Sequence, residues 1–347
     1  MADALLSPVV GMAMNTVSAV AIGVSAAKVR KYEISDKMVP LMGVAGAMVF
    51  AGQMINFSIP GTGSSGHIGG GVLLAGLLGG VPAFLSIAAV LIIQCLFFAD
   101  GGLLALGSNI FVLGAIPCLV VYPLVWKPLM KGGASHRRLT VASIVSAVIG
   151  LELGAFGVVL LTLFSGITSL PFGTFAALML PIHLAIGVLE GIVTAAVLCF
   201  VFKMRPELID AAQSGGQLGG VSVKKVVITL AILAVLTGGA LSLFVSSNPD
   251  GLEWSVERTL ENASGGSVSI EGIEDIEGGD GAVHTGAAGV QDNTAFLPDY
   301  AFADDPENVA GTSLSGIVGA AITFAAAGAA GLVITKVKKS GRPANNV

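Results

Sequence analysis

Charge is scarce in this chain. Asp, Glu, Lys and Arg make up 11% of its 347 residues, against roughly a quarter in an ordinary soluble domain. Aromatic residues are thin at 6%, with two Trp and three Tyr. Cysteine occurs three times, at Cys95, Cys118 and Cys199, always inside apolar runs and never with paired spacing. That pattern suggests neither a disulfide framework nor a thiolate metal site, and the cysteines read better as small buried apolar groups. The sequence has no GxxxxGK[ST] phosphate loop, no HExxH and no GxSxG. P-loop hydrolysis of ATP is thereby excluded, and energy for active work has to come from a partner or a gradient. No Lys or Arg stands ahead of Lys28, so a cleaved signal peptide is not expected.

What the chain has instead is apolar length. Hydrophobic residues are 54% of the total and the mean hydropathy is +0.88. Apolar runs lie near 9–27, 38–56, 81–99, 103–126, 140–165, 173–202, 226–246 and 313–335, and a spanning helix needs roughly 20 such residues. A shorter glycine-rich run at 67–80 reads as a thin span or as a half-helix packed inside protein. Backbone groups in lipid must be satisfied within their own segment, so runs this long and continuous are helices and not barrel strands. The expected fold is an all-α integral membrane protein: a seven-crossing core bundle plus two C-terminal transmembrane helices flanking a long acidic extracytoplasmic loop.

The few cations set the topology. Lys28, Arg30, Lys31 and Lys37 follow the first run; Lys127, Lys131, Arg137 and Arg138 lie between 126 and 140. Lys203, Arg205, Lys224 and Lys225 precede 226, and Lys336, Lys338, Lys339 and Arg342 form the tail. Only Arg258 of the 17 Lys and Arg residues falls elsewhere. The positive-inside rule makes all four groups cytoplasmic. With 67–80 counted as a crossing, the N-terminus and the segment 247–311 fall outside and the C-terminus is cytoplasmic. A prokaryotic cell membrane is the expected location, and no nucleic-acid partner is expected.

Three parts follow: a membrane core at 1–203, a cytoplasmic linker at 204–225 with Pro206 and the run SGGQLGG, and a two-helix accessory part at 226–347. Its outer loop, 247–311, holds 14 of the 22 Asp and Glu residues. A stretch such as ENASGGSVSIEGIEDIEGGDG cannot bury enough apolar surface to offset chain entropy, so most of this loop is expected to be disordered. It is either a concentrator of cations or a solvated spacer.

Within the core, NFSIPGTGSSGHIGGG (56–71) interrupts two apolar runs. Glycines let backbone approach a small ligand, and the imidazole of His67 suits nickel or cobalt better than magnesium or calcium, which want oxygen clusters. His67 is thus a candidate metal ligand or a histidine hydrogen-bonded in a packing loop. Gln53, Asn56, Gln94, Asp100 and Asn109 stand near the same ends of the runs and are candidates to orient it. His183 and Glu190 are two helical turns apart on one face, with Glu152 in the preceding run; such groups serve either helix packing or transport chemistry. Ala19, Gly23 and Ala27 form a strip of small residues spaced by four, a face for a second helix or for packing within the core.

Four blocks carry a resemblance: ADALLSP (2–8), VPLMGVAGAMVFAGQMINFSIPGTGSSGHIGGG (39–71), FADGGLLALGSNIF (98–111) and PIHLAIGVLEGIVTAAV (181–197). Together they resemble the CbiM/NikM family, the substrate-specific membrane components of energy-coupling-factor (ECF) transporters for cobalt and nickel, over about 1–203. NPDGLEWSVE (248–257) looks like the PDGLE-type accessory component of the same systems. The resemblance implies that one Ni2+ or Co2+ ion is the transported ligand. It also implies a separate transmembrane coupling protein and two cytoplasmic ATPase subunits as partners, and no enzymatic cofactor. It implies His67 as one metal ligand, the other nitrogens coming chiefly from the N-terminal amine, here Met1, and from a histidine at the second position. Here Ala2 and Asp3 follow Met1, so the expectation is an in-frame Met-His encoded just upstream. Two other readings stand beside this one: a carrier for an organic micronutrient, and an intramembrane enzyme using His183, Glu190 and Glu152.

Overall fold

The computed structural model describes residues 1–31, 37–214, 218, 222–264, 281–305 and 308–340. The described chain is almost wholly helical. Helix α1 covers Pro8–Lys31 and α2 Met38–Gln53; a hairpin of β1 (Phe57–Ile59) and β2 (Ser64–Gly66) precedes α3, Gly71–Leu78. Then come α4 (Gly80–Phe98), α5 (Leu106–Met130), α6 (His136–Ser165), α7 (Phe172–Met204) and α8 (Pro206–Ser214). The accessory part contributes α9 (Lys224–Gly239), α10 (Gly251–Ser264), α11 (Gly281–Thr294) and α12 (Val309–Ser340).

Among the described residues, seven helices are long and apolar enough to cross a membrane, and Met38–Gln53 is a shorter apolar one. The run at 67–80 resolves differently from the long spans. Residues 57–70 are hairpin and loop, and only Gly71–Leu78 is helix, with every residue of it buried. At 1.5 Å per residue α3 is about 12 Å long and cannot span lipid alone. Its burial inside the bundle is what lets non-helical backbone lie beside it at this depth.

The ends of the bundle differ in chemistry. Around the basic loops the Tyr122 hydroxyl donates to the Ala212 carbonyl of α8 (2.7 Å), and the Lys127 ammonium lies 5.6 Å from the Tyr122 ring. His136 at the start of α6 meets Phe202 near the end of α7, and the Ser135 hydroxyl caps α6 by accepting the Arg138 N–H. The glycine that ends α3, Gly79, also reaches Ala212. The hairpin and His67 occupy the opposite end. Residues 206–214, inside the stretch read as a linker, form a helix that buries Leu208 and Ile209 in the core. Of the run SGGQLGG, only Ser214 and Leu218 fall within the described residues, and Arg342 falls outside them.

Packing divides the helices into a hub and a rim. The central window of α4 is 67% buried, whereas that of α1 is 17% buried. Phe50, Phe84, Phe98 and Trp126 fill the hub. Val226, Leu230 and Ala234 of α9 and Ala320 of α12 join that cluster alongside α2. The accessory spans therefore pack as part of the same apolar core.

The outer loop corrects one expectation. Disorder does not hold for 248–264 or 281–305, which form α10, α11 and ordered turns docked on the core; residues 265–280 lie outside the described residues. The reason is local patterning: Leu252, Val256 and Leu260, spaced by four, share one face, and the last two are buried with Val158 and Phe175.

Candidate functional site

The hairpin pairs Phe57 with Gly66, Ser58 with Ser65 and Ile59 with Ser64. Its tip is closed by Thr62, whose hydroxyl donates to the Ile59 carbonyl (2.8 Å) and accepts the Ser64 N–H (3.0 Å). His67 follows directly, half-buried, with Nδ1 3.2 Å from the Ile68 carbonyl. With that nitrogen as the donor, Nε2 is left with a free lone pair.

The loop after His67 is held from two sides. Gln53 Nε2 donates to the Gly69 carbonyl (2.9 Å), while the N–H groups of Gly69 and Gly70 donate to separate oxygens of Glu190, each at 2.9 Å. Gly70 sits at φ +76°, a left-handed conformation costly for other residues, and a Cβ added there would run into Val49 Cγ1.

His67 faces a cavity of about 480 Å³. Met1, Gln53, Asn56, Gln94, Asp100 and Asn109 line the same cavity, so the polar residues scattered over 108 positions of sequence come together there. Met1 is brought to this wall by its carbonyl, which accepts the Gly102 N–H and an Asn109 side-chain N–H, each at 3.3 Å. Asp3, which sequence reasoning passed over, secures the same segment by accepting the Ala105 N–H (2.8 Å). A smaller cavity of about 110 Å³ adjoins, lined by His67, Met1 and Asn109 and also by His183 and Asp250.

The intramembrane polar residues separate. His183 lines the smaller cavity with its Nδ1 2.8 Å from the Met179 carbonyl. Glu190 is occupied by the loop, and Glu152 lines neither cavity. They do not converge on one catalytic point. The strip Ala19, Gly23 and Ala27 is exposed, and a side chain at Gly23 would meet nothing within 4 Å; core packing does not use it.

The accessory part closes the other walls. The residues PDGLE (249–253) form a capped helix start: Asp250 Oδ1 accepts the N–H groups of Leu252 and Glu253, each at 2.8 Å, and Glu253 Oε2 accepts the Asp250 N–H (3.2 Å). The Pro249 carbonyl accepts the Ser65 N–H (2.8 Å), adding a backbone bond to the free edge of β2. Trp254 Nε1 donates to the Thr62 carbonyl at the hairpin tip (3.1 Å). At Gly251 an added Cβ would lie 2.8 Å from Ile186 Cδ1 and 3.1 Å from His183 Cε1, so only glycine lets α10 come this close to α7. On the far side Gln291 donates to the carbonyls of Cys95 and Gly101, and Tyr300 stacks on Phe98 while its hydroxyl donates to Asp100.

The larger cavity is acidic. Asp100, Asp250, Glu253 and Asp299 line it, and no Lys or Arg does among the described residues. Burial, and then Asp250, push the Glu253 carboxyl above the usual carboxylate range. Burial, and then Asp100, do the same for Asp299 and hold the Tyr300 phenol well above its ordinary value. A positive ion would relieve this repulsion. Among the described residues no three His, Cys, Asp or Glu side chains form a metal-holding group.

Residues 1–208 match the CbiM family, described as the cobalt uptake substrate-specific transmembrane region, and residues 224–336 match the PDGLE domain. A protein of Archaeoglobus fulgidus named "Putative fused nickel transport protein NikMN" is 32% identical over 84% of this chain and 85% of its own length. The cobalt transport protein CbiM of Sorangium cellulosum is 31% identical over 50% of this chain and 77% of its own. The crystal structure of a truncated transition metal transporter aligns with TM-score 0.52 and 27% identity, covering 59% of this chain and 98% of that one.

Proposed function

Because the chain belongs to the CbiM family and carries a PDGLE domain behind it, we propose that it is the substrate-specific component of an ECF-type importer for nickel or cobalt. One observation carries this reading: the imidazole of His67 and the Met1 segment meet at one acidic, polar cavity. Borderline-soft divalent ions favour nitrogen donors, and the surrounding carboxylates raise the local cation concentration. In this reading His67 and the N-terminal end supply the nitrogens, while Asn109 and Gln53 hold their backbones in place.

The chain itself supplies binding and not energy. Two separate ATPase subunits and a transmembrane coupling protein provide the drive, and the exposed small-residue strip of α1 is the face offered to the coupling protein. In this reading the cavity faces outward and the cationic loops face the cytoplasm, an orientation the positive-inside rule supports. The test is uptake of radioactive nickel or cobalt by cells expressing this chain with and without a coupling protein and ATPases. Accumulation that requires all three and is saturable by either metal is expected; equal uptake without the ATPases overturns the coupling.

A further inference from the structure

We propose that Glu190 is the positioning residue of the metal loop and the anionic counterpart of the bound ion. This rests on the reading of His67 as a metal ligand. Glu190 is 2% exposed and lies about 27 Å along α7 from its first residue, at 1.5 Å per residue. A carboxylate at such depth is costly unless it is paired or fully hydrogen-bonded. Among the described residues no Lys or Arg pairs with it; its partners are the N–H groups of Gly69 and Gly70.

Gly70 is the N-cap of α3 and Gly69 the residue before it, so both N–H groups stand at the end of the helix where its dipole favours negative charge. Each bonds a different oxygen, an arrangement a carboxylate supplies and an amide does not. The peptide between them is gripped on its other side by Gln53, which holds the Gly69 carbonyl. A side chain at Gly69 would lie 3.3 Å from Glu190 Oε2, so glycine there serves the same contact. Glu190 and Gln53 thus fix the backbone two and three residues beyond His67, and with it the direction of the imidazole. A divalent ion held by neutral nitrogens leaves positive charge in a low-dielectric site, and Glu190, buried behind the loop that carries His67, supplies negative charge to offset it.

The experiment uses the full chain in detergent, Ni2+ titration calorimetry for affinity, and Cu2+ electron paramagnetic resonance for ligand geometry. Glu190→Gln keeps the shape but removes the charge and one acceptor; Gly69→Ala keeps Glu190 and displaces it. His67→Ala is the reference. We expect Glu190→Gln to weaken Ni2+ by roughly 10- to 100-fold, the cost usual for losing a group that orients a ligand. The Cu2+ hyperfine pattern at saturation should shift, with Gly69→Ala changing both in the same direction by less. Should Glu190→Gln fail to fold, Gly69→Ala carries the test. Wild-type affinity and spectrum in both variants, alongside loss of binding in His67→Ala, overturn the role of Glu190. Unchanged affinity in His67→Ala overturns instead the metal-loop reading beneath it.

Discussion

The core and the accessory part use the same kind of helix for different ends. In the core, polar groups are buried among helices and aimed at one loop: Gln53, Glu190 and Asn109 each hold backbone beside His67 or Met1. In the accessory part the spans pack against α2 with apolar side chains, and the polar work is done beyond them by 248–254 and 291–300. Those segments bond mostly to core backbone, through Ser65, Thr62, Gly101 and Cys95. On the proposed reading the core supplies the nitrogen donors, and the accessory part closes the cavity and lines it with Asp250, Glu253 and Asp299. A closing element that bonds core backbone constrains the position of the loop.

Cutting the two apart is the most severe test of that division. Deleting 215–347 should leave a monodisperse core, since 59% of this chain covers 98% of a solved relative and the uncovered face of α2 is apolar. Metal uptake should fall about tenfold or more, measured with radioactive nickel; wild-type uptake would make the accessory part a spacer. A finer cut is Gly251→Val, which drives a side chain into Ile186 and His183. It should undock α10 and speed nickel release several-fold, read by chelator competition, while the melting temperature of the core changes little. Trp254→Phe removes one hydrogen bond to the hairpin tip and should cost about 1 kcal/mol of docking, seen as faster proteolysis between 255 and 264. Bulky residues at Gly23 and Ala27 should leave metal affinity unchanged and reduce only co-purification with a coupling protein, because that strip is exposed and a side chain at Gly23 meets nothing within 4 Å. The smallest effect is on pH. The Glu253 and Asp299 carboxyls lie above their ordinary range, so their protonated forms favour the docked state. That stabilisation is present below the ordinary carboxylate value of about 4 and is lost as pH rises through the higher folded values. Thermal melting of the metal-free chain should reveal a small rise on acidification through that window, and a fall there would contradict the placement of these groups.

Legibility in the sequence followed the same division. The long spans were readable because lipid demands continuous apolar runs, and the gathering of Gln53, Asn56, Gln94, Asp100 and Asn109 followed from their positions at span ends. The order of the accessory loop was not readable, because average composition over 247–311 masked two local signals. One was the Asp250 and Glu253 capping pair, and the other was the four-residue spacing of Leu252, Val256 and Leu260. The partner of Glu190 was also hidden, since backbone N–H groups carry no sequence signature. His183 and Glu190 were correctly placed on one helical face, yet that face serves two different levels of the loop. Glu152 shows the limit of such reasoning: a charged residue in a span is conspicuous in sequence whether or not it reaches the site.

The central claim is that a transition metal is held at the His67 end of the core, and nickel affinity of the full chain tests it most directly. Calorimetry on His67→Ala and His183→Ala should separate the two cavity histidines: high-affinity binding disappears in the first and persists within a few-fold in the second. Full affinity retained in His67→Ala, or lost only in His183→Ala, would contradict the account.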